Sequence, residues 1–233
     1  MGSSRSHEKA VAELLIVVAA GSGSRLGRGG PKALVPLAGR PLLDWTLEVF
    51  RPLSFDGSVV TAPPDRVEDF ARLVGTRARV VAGGETRSAS VRRGFEALAA
   101  SDGDIVAVHD AARPLVTGEE AAAVVRAAAE SGAAIAATLV VDTVKRVAAG
   151  RILETVDRSD LYGAATPQAF RAEILRRALS SGAEATDEAA LCERLGIPVT
   201  VVPVSRLAFK ITTPADLELA EAVLVARRKG SRT

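Results

Sequence analysis

Leu14-Leu-Ile-Val-Val-Ala-Ala20 is an unbroken apolar run that ends at the glycine-rich stretch Gly21-Ser-Gly-Ser-Arg-Leu-Gly27. A strand with one wet face alternates polar and apolar residues. A run without alternation is buried on both faces, the pattern of a parallel sheet covered by helices on each side. A chain that begins its ordered part this way is committed to a layered α/β architecture. It also places a flexible, donor-rich loop at the carboxyl end of its first strand.

The segments that follow repeat the theme. Helix is expected at Leu42–Phe50, Asp65–Val74, Ser88–Ala100 and Glu119–Glu130, the last with Thr117 as N-cap. Strands are expected at Ser58–Ala62, Arg79–Ala82 and Ile105–His109, each stopped by Pro, Gly or a polar cluster. Beyond residue 132 the alternation breaks. Ala133–Val141 and Thr143–Val147 read as extended, Ala149-Gly150 as a turn, and Ile152–Val156 as a returning strand. Residues 142–156 therefore read as a hairpin leaving the main sheet, with edges that a second subunit can cover. Helices resume at Arg171–Ser180 and Asp187–Leu195, a late strand at Pro198–Val204, and a last helix from Thr213-Pro-Ala-Asp216 to about Arg228. The fold class is α/β: a doubly wound, mostly parallel, Rossmann-like sheet with a projecting β-hairpin arm. One domain over 1–233 is expected, with the arm at about 138–160 serving dimerisation.

Composition excludes several function classes. Of 233 residues, 48% are hydrophobic, enough for one sizeable core without disulfides or a structural metal. Cys192 is the only cysteine and falls in a helix, where a small buried hydrophobe is expected. With only His7 and His109, a histidine-rich metal site is excluded. A net charge of +2 argues against a nucleic-acid stripe while allowing local anion pockets. No apolar run approaches the roughly 20 residues that cross a bilayer. Met1–Glu8 is polar, like a tag remnant or a frayed end, and lacks a signal peptide's apolar region. A soluble cytoplasmic protein without nucleic-acid or membrane partners is expected.

Four segments can carry chemistry. In an open α/β sheet, ligands bind beyond the carboxyl ends of the strands. The loop from Ala19 to Lys32 sits there, and Gly21 and Gly23 let several backbone N–H groups converge on one anion. Arg25 and Lys32 add two cations. The spacing G-x-G-x-x-x-G is not that of a dinucleotide fingerprint, and Gly27-Arg28 is not the end of a Walker loop, so an NAD-dependent oxidoreductase is disfavoured. A merely flexible Gly/Ser loop is the bland alternative. His109-Asp-Ala-Ala-Arg-Pro114 follows the fourth strand. Asp110 there is placed to hold Mg²⁺ together with phosphate oxygens, and Arg113 to grip a second phosphate. An N-capping Asp with a solvated Arg fits equally, and His109 reads as a packed histidine. Gly83-Gly-Glu-Thr-Arg-Ser-Ala-Ser90 enters a helix N-terminus, where Ser90 and the backbone can read a base or ribose, or simply make a turn and cap. Thr143-Val-Lys-Arg146 and Thr155-Val-Asp-Arg158 on the hairpin, and Phe209-Lys-Ile-Thr212, are cationic segments that also read as solvated charge.

Together, in this order, the segments resemble the 2-C-methyl-D-erythritol 4-phosphate cytidylyltransferase family. Further matching pieces are Pro31-Lys-Ala-Leu34, Asp142-Thr-Val-Lys-Arg146, Thr166-Pro-Gln168 and Thr186-Asp-Glu188, so that the likeness spans residues 14 to about 224. The first loop marks only the wider nucleotidyltransferase superfamily; the His-Asp-Ala-Ala-Arg-Pro, Thr-Pro-Gln and Thr-Asp-Glu set is more specific. The resemblance implies CTP and a polyol phosphate as substrates, Mg²⁺ as cofactor and pyrophosphate as product. It implies catalytic roles for Arg25, Lys32, Arg158 and Lys210. CTP contacts map to Ala19, Ala20, Gly21, Gly23, Gly84, Glu85, Ser90 and Asp110, the last also as metal ligand. Acceptor contacts map to Arg113, Thr143, Arg158, Thr166 and Lys210. The arm is expected to lend Thr143 and Arg158 to a neighbour's site in a homodimer. Two departures stand out: Ser24 where a basic residue is common, and Leu207-Ala-Phe209 where an acidic residue, Asn and Ile are common. Rival expectations are a cytidylyltransferase for another polyol phosphate, such as ribitol 5-phosphate, and a non-catalytic nucleotide-binding domain on the same fold.

Overall fold

In the computed structural model the apolar run becomes β1 (Glu13–Val18), at the heart of the sheet. The structure describes residues 11–21, 30–180 and 182–230; Met1–Glu8 and the loop residues Gly23, Ser24 and Arg25 lie outside them. Successive side chains of β1 serve opposite cores. Leu15 and Val17 face a cluster with Leu43, Leu47, Phe50, Phe70 and Val124. Leu14 and Ile16 face a second cluster with Val91, Phe95, Phe170, Leu175 and Leu191. Ile16 and Val17 are wholly buried, and each such side chain stabilises the fold by about 1.5–3 kcal/mol. This two-sided burial is why the run cannot alternate.

Helices and strands then follow nearly as expected. A two-stranded ribbon, β2 (Pro36–Leu37) with β3 (Arg40–Pro41), leads into α1 (Leu42–Phe50). Next come β4 (Gly57–Ala62), α2 (Val67–Val74), β5 (Arg79–Ala82), α3 (Arg87–Leu98) and β6 (Ile105–Asp110). After them lie α4 (Gly118–Ser131) and β7 (Ala133–Leu139). Thr117 caps α4 in a full capping box with Glu120. The arm is β8 (Val144–Ala148) paired antiparallel with β9 (Arg151–Val156), a sheet of its own. The chain ends with β10 (Tyr162–Arg171), α5 (Ala172–Ser180), α6 (Glu188–Arg194), β11 (Thr200–Pro203) and α7 (Pro214–Gly230).

The main sheet has seven strands in the order β11-β7-β10-β6-β1-β4-β5. All run one way except β10, which lies antiparallel between β6 and β7. β10 corrects the sequence reading, which places no strand between arm and helix. Gly163 and Pro167 hide it, since proline cannot donate to a ladder. The sheet absorbs them where the β7–β10 register shifts between Ala164 and Gln168.

The topology fixes the place of a ligand. The chain passes from β1 outward to β4 and β5, then returns to the other side of β1 as β6. The strand order therefore reverses between β1 and β6, and a crevice opens there at their carboxyl ends. A third apolar cluster sits under α7 and joins Val35, Leu37 and Leu42 to Leu115, Ile211 and Leu217. It fastens the segment just after Lys32 to the residue just after Lys210, so two cations remote in sequence have a shared floor.

Candidate active site

The floor of the crevice is set by strand pairing. Val18 of β1 is in register with Asp110 of β6, and Ala111 N–H donates to Val18 C=O at 3.0 Å. Above them the chain leaves β1 as Ala19-Ala20-Gly21, with Ala19 N–H bonded to Thr61 C=O at 2.9 Å. Lys32 N–H returns to Gly21 C=O at 3.2 Å and closes the loop on itself. The far wall is the Gly83-Gly84 turn after β5. A Cβ on Gly83 would lie 2.6 Å from Ala20 Cβ, and one on Gly84 would lie 2.4 Å from Ala89 Cβ. Only glycines allow this approach. The Ser90 hydroxyl locks the turn by accepting from Gly84 N–H at 3.0 Å and donating to Thr86 C=O at 2.9 Å. Thr86 caps α3, accepting from Ala89 N–H at 3.1 Å. The positive end of α3 thereby faces the crevice.

The crevice encloses about 210 Å³. Ala19, Ala20, Gly21 and Lys32 line it from one side, Gly84, Glu85 and Ser90 from the other, and Asp110 and Lys210 from below. Arg113 and Thr166 lie just behind this floor. Thr143 and Arg158 sit exposed at the root of the arm and do not line the crevice. Arg25 and Gly23 lie outside the described residues.

Asp110 is the electrostatic centre. Its Oδ2 accepts from Lys210 Nζ at 2.7 Å and its Oδ1 from Arg87 Nε at 3.1 Å, while Arg113 Nε stands 4.0 Å from Oδ2. Burial alone would raise its pKa; Arg87 and Lys210 more than offset this and hold it well below the usual carboxylate range. Asp110 is therefore ionised at every working pH. Arg113 is fixed by backbone carbonyls, donating to Ala208 O at 3.0 Å and Ala164 O at 3.4 Å. Because the Ala208 contact is made by a main-chain oxygen, it survives the unusual Leu207-Ala-Phe209 sequence.

Behind Asp110 lies a chain of hydrogen bonds whose direction is dictated by chemistry. His109 Nε2 is 3.2 Å from Arg113 C=O, which can only accept, so Nε2 carries the proton. Nδ1 then accepts from the Thr166 hydroxyl at 3.1 Å, and that hydroxyl in turn accepts from Asp110 N–H at 3.1 Å. Burial pushes the His109 pKa down to about 3, so the ring is neutral. It packs edge-on against Phe50 at 4.8 Å between centroids, as the packed histidine expected from the sequence.

Two residues matter more here than the sequence reading assigned. Arg87, the first residue of α3, bridges Asp110 and Glu188; its Nη1 is 2.8 and 2.9 Å from the two Glu188 oxygens. Burial opposes the Arg87 charge, but Glu188 and Asp110 outweigh it and raise its pKa. Burial raises the Glu188 carboxyl despite the pull of Arg87. Gln168 completes the frame, donating to Asp187 Oδ2 at 2.8 Å and accepting from Ala189 N–H at 3.2 Å. The Thr-Pro-Gln and Thr-Asp-Glu motifs are thus scaffolding beneath the floor. Their presence in the sequence was the available signal, but nothing local revealed their partners.

For a metal, the donor set is a single ionised carboxylate. Among the described residues no three His, Cys, Asp or Glu side chains converge into a cage. Mg²⁺ is held by one or two carboxylates together with substrate phosphates and water. A buried carboxylate with lone pairs beyond its two present bonds fits that pattern.

An open α/β sheet with a crevice at its switch point, lined by a glycine turn, a helix N-terminus and two lysines, has the features of a nucleotidyltransferase. Comparison with known proteins narrows the class. Residues 14–226 match the family model of IspD, 2-C-methyl-D-erythritol 4-phosphate cytidylyltransferase. The chain belongs to this family. It is 46% identical over 213 residues to the enzyme of that name from Frankia casuarinae, covering 90% of this chain and 80% of the relative. It is 47% identical over 228 residues to a bifunctional IspD/IspF enzyme of Clavibacter michiganensis, covering 93% of this chain and 55% of that longer protein. The crystal structure of the enzyme from Thermus thermophilus superposes with a TM-score of 0.74 at 38% identity, covering 91% of this chain and 98% of the other. These matches do not favour the ribitol-phosphate or non-catalytic readings. Among the described residues no helix is long and apolar enough to cross a membrane.

Proposed function

We propose that this crevice transfers the cytidylyl group of CTP to the phosphate of 2-C-methyl-D-erythritol 4-phosphate, releasing pyrophosphate. The observation that carries the reading is Asp110, an ionised carboxylate held between Arg87 and Lys210 on the crevice floor. The sheet presents it beside Ala19–Gly21 and Lys32, which line the same crevice.

An oxygen of the acceptor phosphate attacks the α-phosphorus and forms the new P–O bond. The bond from that phosphorus to the β-phosphate bridge oxygen breaks, and pyrophosphate leaves with the electron pair. Both reactants are anions, so alignment and charge neutralisation dominate the barrier. Lys32 and Arg25 neutralise charge growing on the α-phosphate and the leaving group. Backbone groups of Ala19, Ala20, Gly21, Gly23, Gly84 and Glu85, with Ser90 bracing the turn, hold the nucleotide. Asp110 would hold Mg²⁺, which would supply charge neutralisation for the phosphates. Lys210, Arg113 and Thr166 set the acceptor side. No general base is required, because the acceptor oxygen is already ionised, and the neutral His109 stays structural.

The acceptor site is completed by a second copy. Thr143 and Arg158 are exposed on the arm and absent from the lining of their own crevice. The arm also exposes Val147, Ile152 and Leu153, the last two by 64% and 63%, an apolar surface that a partner subunit would cover. These exposed residues support a homodimer in which each arm serves the neighbour's site, built from chains of one domain each. CTP is a cytoplasmic metabolite, and we place the enzyme there.

Lys32→Ala tests the assignment. Loss of one donor to the developing charge costs about 3–4 kcal/mol, or roughly 10²–10³ in kcat. Pyrophosphate release at near-normal rate in that variant would remove Lys32 from the mechanism.

A further inference from the structure

Glu188 is wholly shielded from solvent, and no step of the transfer uses it. Both its oxygens are taken by a single nitrogen of Arg87, Nη1, at 2.8 and 2.9 Å. The same guanidinium gives only Nε to Asp110, at 3.1 Å, and its Nη2 is buried with no hydrogen-bond partner among the described residues. Arg87 is thus split between two carboxylates. A guanidinium and a carboxylate in contact favour a two-bond fork. Without charge on Glu188, the pull that holds Nη1 away from Asp110 is weakened, and Arg87 is freer to turn onto Asp110. Lys210 already occupies Asp110 Oδ2 at 2.7 Å. A forked Arg87 beside Lys210 would surround the carboxylate with protein donors and leave little of it for anything else.

We propose that Glu188 is a positioning residue for the transfer: it anchors Arg87 so that this cation makes one bond to Asp110, which keeps acceptor capacity on Asp110 open to a divalent cation in the crevice. The proposal rests on the reading of Asp110 as the metal-holding carboxylate. The backbone around Glu188 is fixed independently of its side chain. Asp187 caps α6 by accepting from Ala190 N–H at 3.0 Å, and Gln168 grips Asp187 and Ala189. An isosteric change at position 188 therefore alters charge more than shape.

The experiment uses the full chain with CTP and Mn²⁺ and no acceptor, so that no turnover occurs. Water-proton relaxation reads Mn²⁺ binding to the protein–CTP complex, and thermal unfolding monitors folding. Glu188→Gln should weaken Mn²⁺ affinity about tenfold, the scale of coupling within one charge network. CTP affinity without metal should stay near wild type. In Arg87→Met/Glu188→Gln the competitor is gone, and Mn²⁺ affinity should return to within about threefold of Arg87→Met alone. Glu188→Gln with wild-type Mn²⁺ affinity and only a lowered melting temperature would reduce Glu188 to a structural residue and overturn the proposal. Equal weakness in Glu188→Gln and the double variant, with Arg87→Met near wild type, would also overturn it, because the effect would not pass through Arg87. Asp110→Asn separates the underlying reading: if it binds Mn²⁺ as well as wild type, the metal assignment fails whatever Glu188 does.

Discussion

Thr166→Val removes one hydroxyl and leaves the shape of the side chain almost unchanged. Thr166 is buried, and its Oγ1 serves two neighbours at once, accepting from Asp110 N–H and donating to His109 Nδ1, each at 3.1 Å. Valine leaves both groups unpaired where water does not reach. Each buried orphan costs about 1–3 kcal/mol, and the new methyl returns about 0.8 kcal/mol by burial. The net loss is about 3 kcal/mol. For a domain of this size each kcal/mol lowers the melting temperature by about 2–4 °C, so a fall of roughly 6–12 °C is expected. Thermal and urea unfolding measure it. Thr166→Ser, which keeps the hydroxyl, should lose only about 1 kcal/mol, one buried methyl. A melting temperature for Thr166→Val within about 2 °C of wild type would refute the hydrogen-bond accounting behind Asp110.

The depressed His109 pKa has a definite sign. The unfolded chain takes up a proton near pH 6.5 while the native ring resists until about 3. Stability is therefore fully present above the unfolded value and falls as pH drops toward the folded one, by about 2 kcal/mol between pH 7.5 and 5. His109→Gln should flatten that part of the profile in urea titrations, and an unchanged slope would remove His109 as its source. Gly84→Ala would place a Cβ 3.0 Å from the Ala89 carbonyl carbon as well as against its Cβ. It should push α3 from the crevice and raise KM for CTP roughly tenfold, the effect of about 1.4 kcal/mol; an unchanged KM would free the turn from nucleotide binding. Val147→Glu/Ile152→Glu charges one exposed face of the arm, where the two residues are cross-strand partners. Sedimentation should show monomers with little activity, and an intact, active dimer would exclude that face from the interface.

How far the sequence reaches depends on where the determinants lie. The two-sided burial of β1 is written in its own residues, as are the glycine turn at Gly83-Gly84 and the caps at Thr117 and Thr213. The Thr213 hydroxyl accepts from Asp216 N–H at 3.2 Å, as the Thr-Pro-Ala-Asp pattern implies. The crevice was legible because Ala19–Lys32 and His109–Pro114 both follow strands, and an α/β sheet sends such loops to one edge. β10 was not legible, since Gly163 and Pro167 break the pattern of a strand whose identity comes from its neighbours β6 and β7. Nor was the pairing of Arg87 with Glu188, which are 101 residues apart in the chain. Buried ion pairs carry no local periodicity, so motif likeness flagged the residues without saying what they touch. Thr166 shows the same limit. The family resemblance marks it as an acceptor contact, while its hydroxyl in the free protein is engaged with Asp110 N–H and His109.

The central claim is the reaction itself. Purified protein should be supplied with CTP, Mg²⁺ and either 2-C-methyl-D-erythritol 4-phosphate or ribitol 5-phosphate, with pyrophosphate and the cytidine diphosphate alcohol quantified together. The account predicts equal amounts of both products with the methylerythritol acceptor and little with ribitol 5-phosphate. No product with the first acceptor, or equal turnover with the second, would contradict it.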